Sequence, residues 1–179
     1  MTIEVASKRR RTQGVGDAVV LDVTSRGVEP WVRFSPFFPH GGVPVPFTPD
    51  VVGASVEGVW QALKVFEGAD VDVGKLSVTT MKGLKRTVRK HGPVRGHRAG
   101  LHGTDLLDYR AARRDIYLPT YRWVLDHRVA DLVDELRALS AHRRVVLLDY
   151  TTNGDVDDTS TPLSHAALIV HRTTNTWPT

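Results

Sequence analysis

Glu57, Gln61 and Lys64 fall at i, i+4 and i+7 of the stretch Ser55-Val56-Glu57-Gly58-Val59-Trp60-Gln61-Ala62-Leu63-Lys64-Val65-Phe66. On an α-helix that spacing stacks a carboxylate, an amide and an ammonium on one face. Such a trio suits electrostatic or acid–base work on a polar ligand, and it also describes the solvated face of an ordinary amphipathic helix. Val56, Val59, Leu63 and Phe66 can turn to a core on another side, with Trp60 between the two. Ser55 is a natural N-cap, which puts Glu57 in the first turn, where the positive end of the helix dipole favours an ionised carboxylate.

Other groups invite chemistry less strongly. His91, His97 and His102 match no usual metal-ligand spacing, and the glycine-rich stretch from His91 to Gly103 reads as a mobile loop. Asp155, Asp157 and Asp158 resemble the opening of a calcium loop, but Gly154 precedes the acids and no glutamate closes it, which argues against an EF-hand. Lys82-Gly83-Leu84-Lys85-Arg86-Thr87-Val88-Arg89-Lys90 is the densest basic segment, either a solvated face or a grip for phosphate. P-loop, Gly-x-Gly-x-x-Gly and Gly-x-Ser-x-Gly patterns are all missing. The chain has no cysteine, which excludes disulfides, thiolate metal sites and a cysteine nucleophile.

The elements that must position these groups read as an α+β fold, predominantly helical, with a small sheet. Residues 1–16 read as a flexible basic segment around Lys8-Arg9-Arg10-Arg11, and 17–179 as a single domain. Ala18–Val23 and Trp31–Phe34 read as strands, and the proline-rich run from Ser35 to Pro49 as a stiff aromatic loop. Leu106–Leu125 has helical spacing with Pro119 to kink or break it, and Val129, Leu132, Val133, Leu136 and Leu139 form a clean helical stripe. Arg144–Tyr150 reads as a buried strand, and Pro162 starts a last helix over Leu163–Arg172. With 24 Lys+Arg against 20 Asp+Glu, the net charge of +4 is too mild to argue for nucleic acid alone, yet it suits a phosphate-bearing ligand. No apolar run approaches bilayer length and the N-terminus lacks a signal peptide's apolar core, so a cytoplasmic protein without membrane contact is expected.

The order of the pieces carries a resemblance. Phe34-Ser35-Pro36-Phe37-Phe38-Pro39, then Pro46-Phe47, then Ser55-Val56-Glu57 with Gln61-Ala62-Leu63-Lys64-Val65-Phe66 resembles the opening of the NADAR family, helical domains associated with NAD and ADP-ribose chemistry. Lys82 and Arg86 resemble the next family element, Asp108-Tyr109 with Arg113 stands where the family has an acid and Trp, and Leu163–Arg172 echoes the closing element. The likeness runs from about Asp17 to Arg172. Departures accompany it: Phe37 follows Pro36 where the family has Asn, and Tyr109 replaces its Trp. Ser164 replaces a Gly, and Leu148-Asp149-Tyr150-Thr151-Thr152-Asn153 stands in place of the family's Asp-x-x-Trp-Gly.

The resemblance implies an α+β NADAR-like domain that hydrolyses an N-glycosidic bond in an ADP-ribosyl, nucleotide or ribosyl-phosphate compound, without metal or cofactor. Breaking that bond gives the ribose C1 oxocarbenium character, which a fixed carboxylate stabilises or relieves by activating water. Glu57 matches the family glutamate in that role, with Asp149 or Asp155 as a second carboxylate. Trp60, Tyr109 and Phe38 would hold the base, and Lys82, Lys85 and Arg86 the phosphates. Gln61 belongs to the same motif, and Lys64 would join the phosphate group or pair with Glu57. Two other classes stay open, a non-catalytic module binding ADP-ribose or a modified nucleotide, and a nucleic-acid-associated protein.

Overall fold

The computed structural model describes residues 2–9 and 16–178. Its strands are, in chain order, β1 (Thr2–Ser7), β2 (Val19–Asp22), β3 (Val43–Pro44), β4 (Val52–Gly53), β5 (Lys64–Phe66), β6 (Val94–Arg98), β7 (Leu106–Leu107) and β8 (Arg144–Asp149). Its α-helices are α1 (Val56–Leu63), α2 (Val88–His91), α3 (Tyr109–Ala112), α4 (Leu118–His127), α5 (Ala130–His142) and α6 (His165–Thr173). The fold is mixed α+β, with 36% helix against 18% strand. It forms two compact units, residues 1–35 with 125–179, and residues 36–124. No described helix is long and apolar enough to cross a membrane.

In the first unit the apolar run of β8 becomes the middle strand of a parallel sheet ordered β1-β8-β2. A central parallel strand is covered on both faces, which is why Val145, Val146 and Leu147 are consecutive and all buried. α5 buries Leu132, Val133 and Leu136 and packs with α6 against β1 and β8. The flexible segment expected over residues 1–16 is corrected for Thr2–Ser7. Thr2–Ser7 pairs along β8 from Thr2↔Arg144 to Ser7↔Asp149, with Ile3 and Val5 on one face and Glu4 ion-paired to Arg144 at 2.8 Å. Lys8 then ion-pairs with Asp22, and Arg9 lies over the Tyr150 ring. The remaining basic residues Arg10 and Arg11 lie outside the described residues.

Trp31–Phe34 is a 3-10 turn rather than a strand. Pro30 already has helical backbone angles, and its carbonyl accepts from Arg33 N at 3.1 Å, curling the chain so that Val32 and Phe34 are buried. α6 begins at His165, later than Pro162 suggests, because Ser164 Oγ accepts from Ala167 N and acts as the N-cap.

In the second unit α1 starts as expected, with Ser55 Oγ accepting from Gly58 N at 3.0 Å. It ends at Leu63, so Lys64 and Phe66 belong to β5 and not to a helical stripe. β5, β6 and β7 form an antiparallel sheet with Lys64 opposite His97 and His97 opposite Leu107. The loop expected from His91 to Gly103 is therefore in part the central strand of this sheet. Gly96 makes it possible: its φ is +151°, and a Cβ there would meet the Leu107 carbonyl oxygen at 2.3 Å. Gly96→Ala is accordingly expected to open the β6–β7 edge, read as loss of hydrogen-exchange protection at His97 and Arg98.

The helical stretch expected over Leu106–Leu125, kinked or broken at Pro119, is β7, α3, a π-helical turn (Arg113–Tyr117) and α4. Pro119 has no N–H to offer the carbonyl four residues back, and the backbone widens in the turn before it. That widened turn buries Arg113 and Ile116.

Candidate functional site

The register of β5 and β6, the last turn of α1 and the first turn of α3 converge on a cleft of about 450 Å³ in the second unit. Trp60, Lys64, Arg95, His97, Asp108 and Tyr109 line it. The half-buried Trp60 lies against His97 with ring centroids 3.7 Å apart, and Tyr109 stands 6.1 Å from Trp60 at 57°. Tyr109 is held in turn by the buried Arg113, whose guanidinium sits 4.5 Å from the ring centroid and donates from Nη2 to Tyr109 Oη at 3.2 Å. The result is an aromatic wall with an ammonium and a guanidinium beside it, which suits a flat ring attached to an anionic group.

Glu57 sits one helical turn before Trp60 and is 8% exposed. Its Oε1 accepts from Gln61 Nε2 at 2.9 Å, while Gln61 Oε1 accepts from Arg86 N at 2.9 Å, which fixes the orientation of the Gln61 amide. Burial raises the Glu57 pKa above the ordinary 4.5, against the lowering pull of the Gln61 hydrogen bond, Lys85 and Lys64. Desolvation thus shifts Glu57 in the direction opposite to the one its first-turn position suggests. Lys64, half-buried at the cleft, is held below its ordinary value by burial, with Glu57 pulling the other way. Glu57 and Lys64 sense each other through space across the end of α1.

His97 is 1% exposed, and among the described residues neither ring nitrogen has a hydrogen-bond partner. Burial, with the Lys64 charge adding to it, holds the imidazole down to about 3, so the ring is neutral at ordinary pH. A buried polar group left unbonded costs on the order of 1–3 kcal/mol, so this one calls for an explanation. Nothing in the pattern Val94-Arg95-Gly96-His97-Arg98 marks a strand, and only the pairing with β5 and β7 gives His97 its place.

Of the proposed phosphate ligands, Arg86 has a different task. Its side chain is 3% exposed, and its Nη atoms donate to the carbonyls of Lys64 at 2.5 Å, Asp70 at 2.7 Å and Gln61 at 3.3 Å. It satisfies carbonyls freed where α1 turns into β5, and its charge complements the helix C-terminus. Arg86→Met is expected to destabilise the protein by about 3 kcal/mol in urea unfolding, because buried carbonyls lose a charged donor. Arg86→Lys should recover little of this, since a single ammonium cannot span the same acceptors. Lys82 is an exposed surface residue, and Lys85 lies 5.5 Å over the Phe37 ring. Phe38 packs against His40, ring centroids 4.8 Å apart, and does not line the cleft.

Residues 5–169 match the family model described as "Family of unknown function (DUF6939)". The chain belongs to the DUF6939 family. Nothing among the curated proteins and nothing among the solved structures matches it.

The two remaining acids of this DUF6939 protein lie in the first unit, and the contacts described for them stay there. Asp149 is buried, and its Oδ2 accepts from Ser164 Oγ at 2.8 Å and faces His165 Nδ1 at 3.0 Å. It serves as the anchor for the start of α6. Asp155 is exposed and accepts from Asp157 N at 2.8 Å, a local loop contact. Among the described residues, no group of three or more His, Asp or Glu side chains gathers to hold a metal ion. The structure therefore brings Trp60, Lys64 and Tyr109 to the cleft and adds His97, while Glu57 and Gln61 stand on α1 outside the cleft lining. It ties Arg86 to the Gln61, Lys64 and Asp70 carbonyls and places Lys82 on the surface and Phe38 off the cleft.

Proposed function

We propose that this DUF6939 protein hydrolyses an N-glycosidic bond in an ADP-ribosyl, nucleotide or ribosyl-phosphate compound. One observation carries the reading: a buried carboxyl, Glu57, stands one turn from an aromatic cleft whose rim carries Lys64 and Arg95. The NADAR resemblance of the segment holding Glu57 points the same way.

In this reading the base lies against Trp60 and Tyr109, and the phosphate engages Lys64 and Arg95. Glu57 as carboxylate faces C1. The C1–N bond breaks, its electron pair leaves with the base, and water adds to C1. One water proton passes through Glu57 to solvent or to the departing base. Lys64 lowers the pKa of Glu57, so it acts on the carboxyl as well as on the ligand.

The same burial favours a second reading. With its pKa raised, Glu57 in its neutral form is a hydrogen-bond donor, and a site built that way recognises its ligand without turning it over. The deciding experiment incubates the protein with ADP-ribosylated nucleobases and nucleic acid, NAD and ribosyl-phosphate pyrimidines, with released base and sugar read by mass spectrometry. Base release by the wild type and none by Glu57→Gln is expected. ADP-ribose binding without release from any compound would select the second reading.

A further inference from the structure

We propose that His97 reads the edge of the departing base, a neutral heteroaromatic ring seated against Trp60 and Tyr109 and hydrogen-bonded to an imidazole nitrogen. The inference rests on the hydrolase reading of the cleft and names the group that fills it.

Three observations independent of the catalytic carboxyl meet at this position. His97 lines the cleft together with Trp60 and Tyr109, yet is itself 1% exposed. Neither of its ring nitrogens is bonded to any described residue. Its ring lies against Trp60 at a centroid distance of 3.7 Å, and its backbone is fixed opposite Lys64 and Leu107 in the middle of the sheet. A side chain held this firmly, with its polar atoms idle, is preorganised for a partner that arrives from the cleft.

The chemistry of that partner follows from the imidazole. Being neutral, it offers one N–H and one lone pair, and with no protein bond to fix the tautomer it can present either to the ligand. It suits the carbonyl and N–H edge of a nucleobase or a carboxamide-bearing ring. An anion would gain no charge from it, so phosphate recognition falls to Lys64 and Arg95 at the rim. Simple packing of His97 beneath Trp60 is the competing explanation. It predicts that an isosteric apolar ring would serve as well.

The test is calorimetric titration of the whole protein with free adenine, guanine, uracil and nicotinamide. At least one of them should bind the wild type saturably. His97→Phe, which keeps a ring under Trp60, should raise the melting temperature and weaken that base about tenfold, while His97→Gln recovers part of the affinity. Should His97→Phe not fold, the ¹⁵N imidazole resonances of the wild type decide the same question, because the bound base must move them toward a single hydrogen-bonded tautomer. Unchanged affinity in His97→Phe, unmoved imidazole resonances, or no base bound by the wild type would each overturn the inference. Base binding needs no turnover. Bases that bind through His97 with every N-glycoside left intact would sink the hydrolase reading alone, and turnover unaffected by His97→Phe would sink this one alone.

Discussion

Glu57→Gln is expected to lower turnover about a thousandfold or more, roughly 4 kcal/mol of lost transition-state stabilisation, while the protein becomes no less stable. The amide has the shape of the carboxyl and still accepts from Gln61 Nε2, so the chain of hydrogen bonds through Gln61 to Arg86 is kept. What disappears is the charge, and that charge is buried. A carboxyl whose folded pKa lies above its unfolded value subtracts stability once the pH exceeds the unfolded value of about 4.5, and the penalty is relieved as the pH falls. Glutamine removes that penalty at neutral pH. A carboxylate serving as half of a structural ion pair would behave oppositely, since its loss would strand a cation. Among the described residues Lys85 and Lys64 reach Glu57 only through space.

The pH profile gives the same proposal a second edge. If catalysis needs ionised Glu57, activity falls on the acid side through its raised pKa, so the limb lies above the ordinary carboxylate range. Lys85 lowers the Glu57 pKa, and Lys85→Met should therefore move the limb further up without touching the cleft lining. A limb that stays in place in Lys85→Met, or Glu57→Gln turning over within tenfold of wild type, is incompatible with the assignment.

Periodicity located the elements whose burial has a simple repeat. The stripe Val129–Leu139, the continuous apolar run of β8 and the Ser55 cap of α1 each became the element their pattern implies. The departures share a cause, which is that tertiary partners and not local pattern decided them. Lys64 leaves the helix because Arg86, more than twenty residues on, takes up the carbonyls at the bend. β6 is short, glycine-containing and charged, and only its pairing with β5 and β7 makes it a strand. Thr2–Ser7 has strand alternation, masked by the basic residues that follow it. For the candidate site, residue type and helical spacing placed Glu57, Trp60 and Gln61 on one short element, of which Trp60 lines the cleft. They misled for Arg86, since charge in a sequence does not tell a ligand grip from a backbone clamp.

The first unit should show a stability maximum on the acid side of neutrality, set by the buried pair Asp149–His165. His165 Nδ1 faces Asp149 Oδ2 at 3.0 Å and Nε2 faces the Val23 carbonyl at 2.9 Å. Two acceptors require both nitrogens to donate, which only the imidazolium can do. Burial alone would lower the His165 pKa, but the Asp149 charge and hydrogen bond together with Val23 leave it raised above 6.5. Burial likewise pulls Asp149 upward, and the His165 charge, Ser164 and Tyr150 N overcome it, leaving the carboxyl below 3.8. The histidine's contribution is fully present below about 6.5 and lost as the pH rises through its raised folded value. The aspartate's is present above about 3.8 and lost as the pH falls through its depressed one. Both act between roughly pH 4 and 6.5. There Asp149→Asn should cost on the order of 3 kcal/mol, because it takes the carboxylate charge at Nδ1 from a buried imidazolium and weakens the anchor of α6. The cost should shrink as the pH rises through the raised folded value of His165 and the wild type loses that proton. Urea unfolding of the pair of proteins across this range, in a Glu57→Gln background to silence the other buried acid, measures the difference. A cost that does not vary with pH would mean that His165 is neutral and that Asp149 holds α6 through Ser164 and the backbone alone.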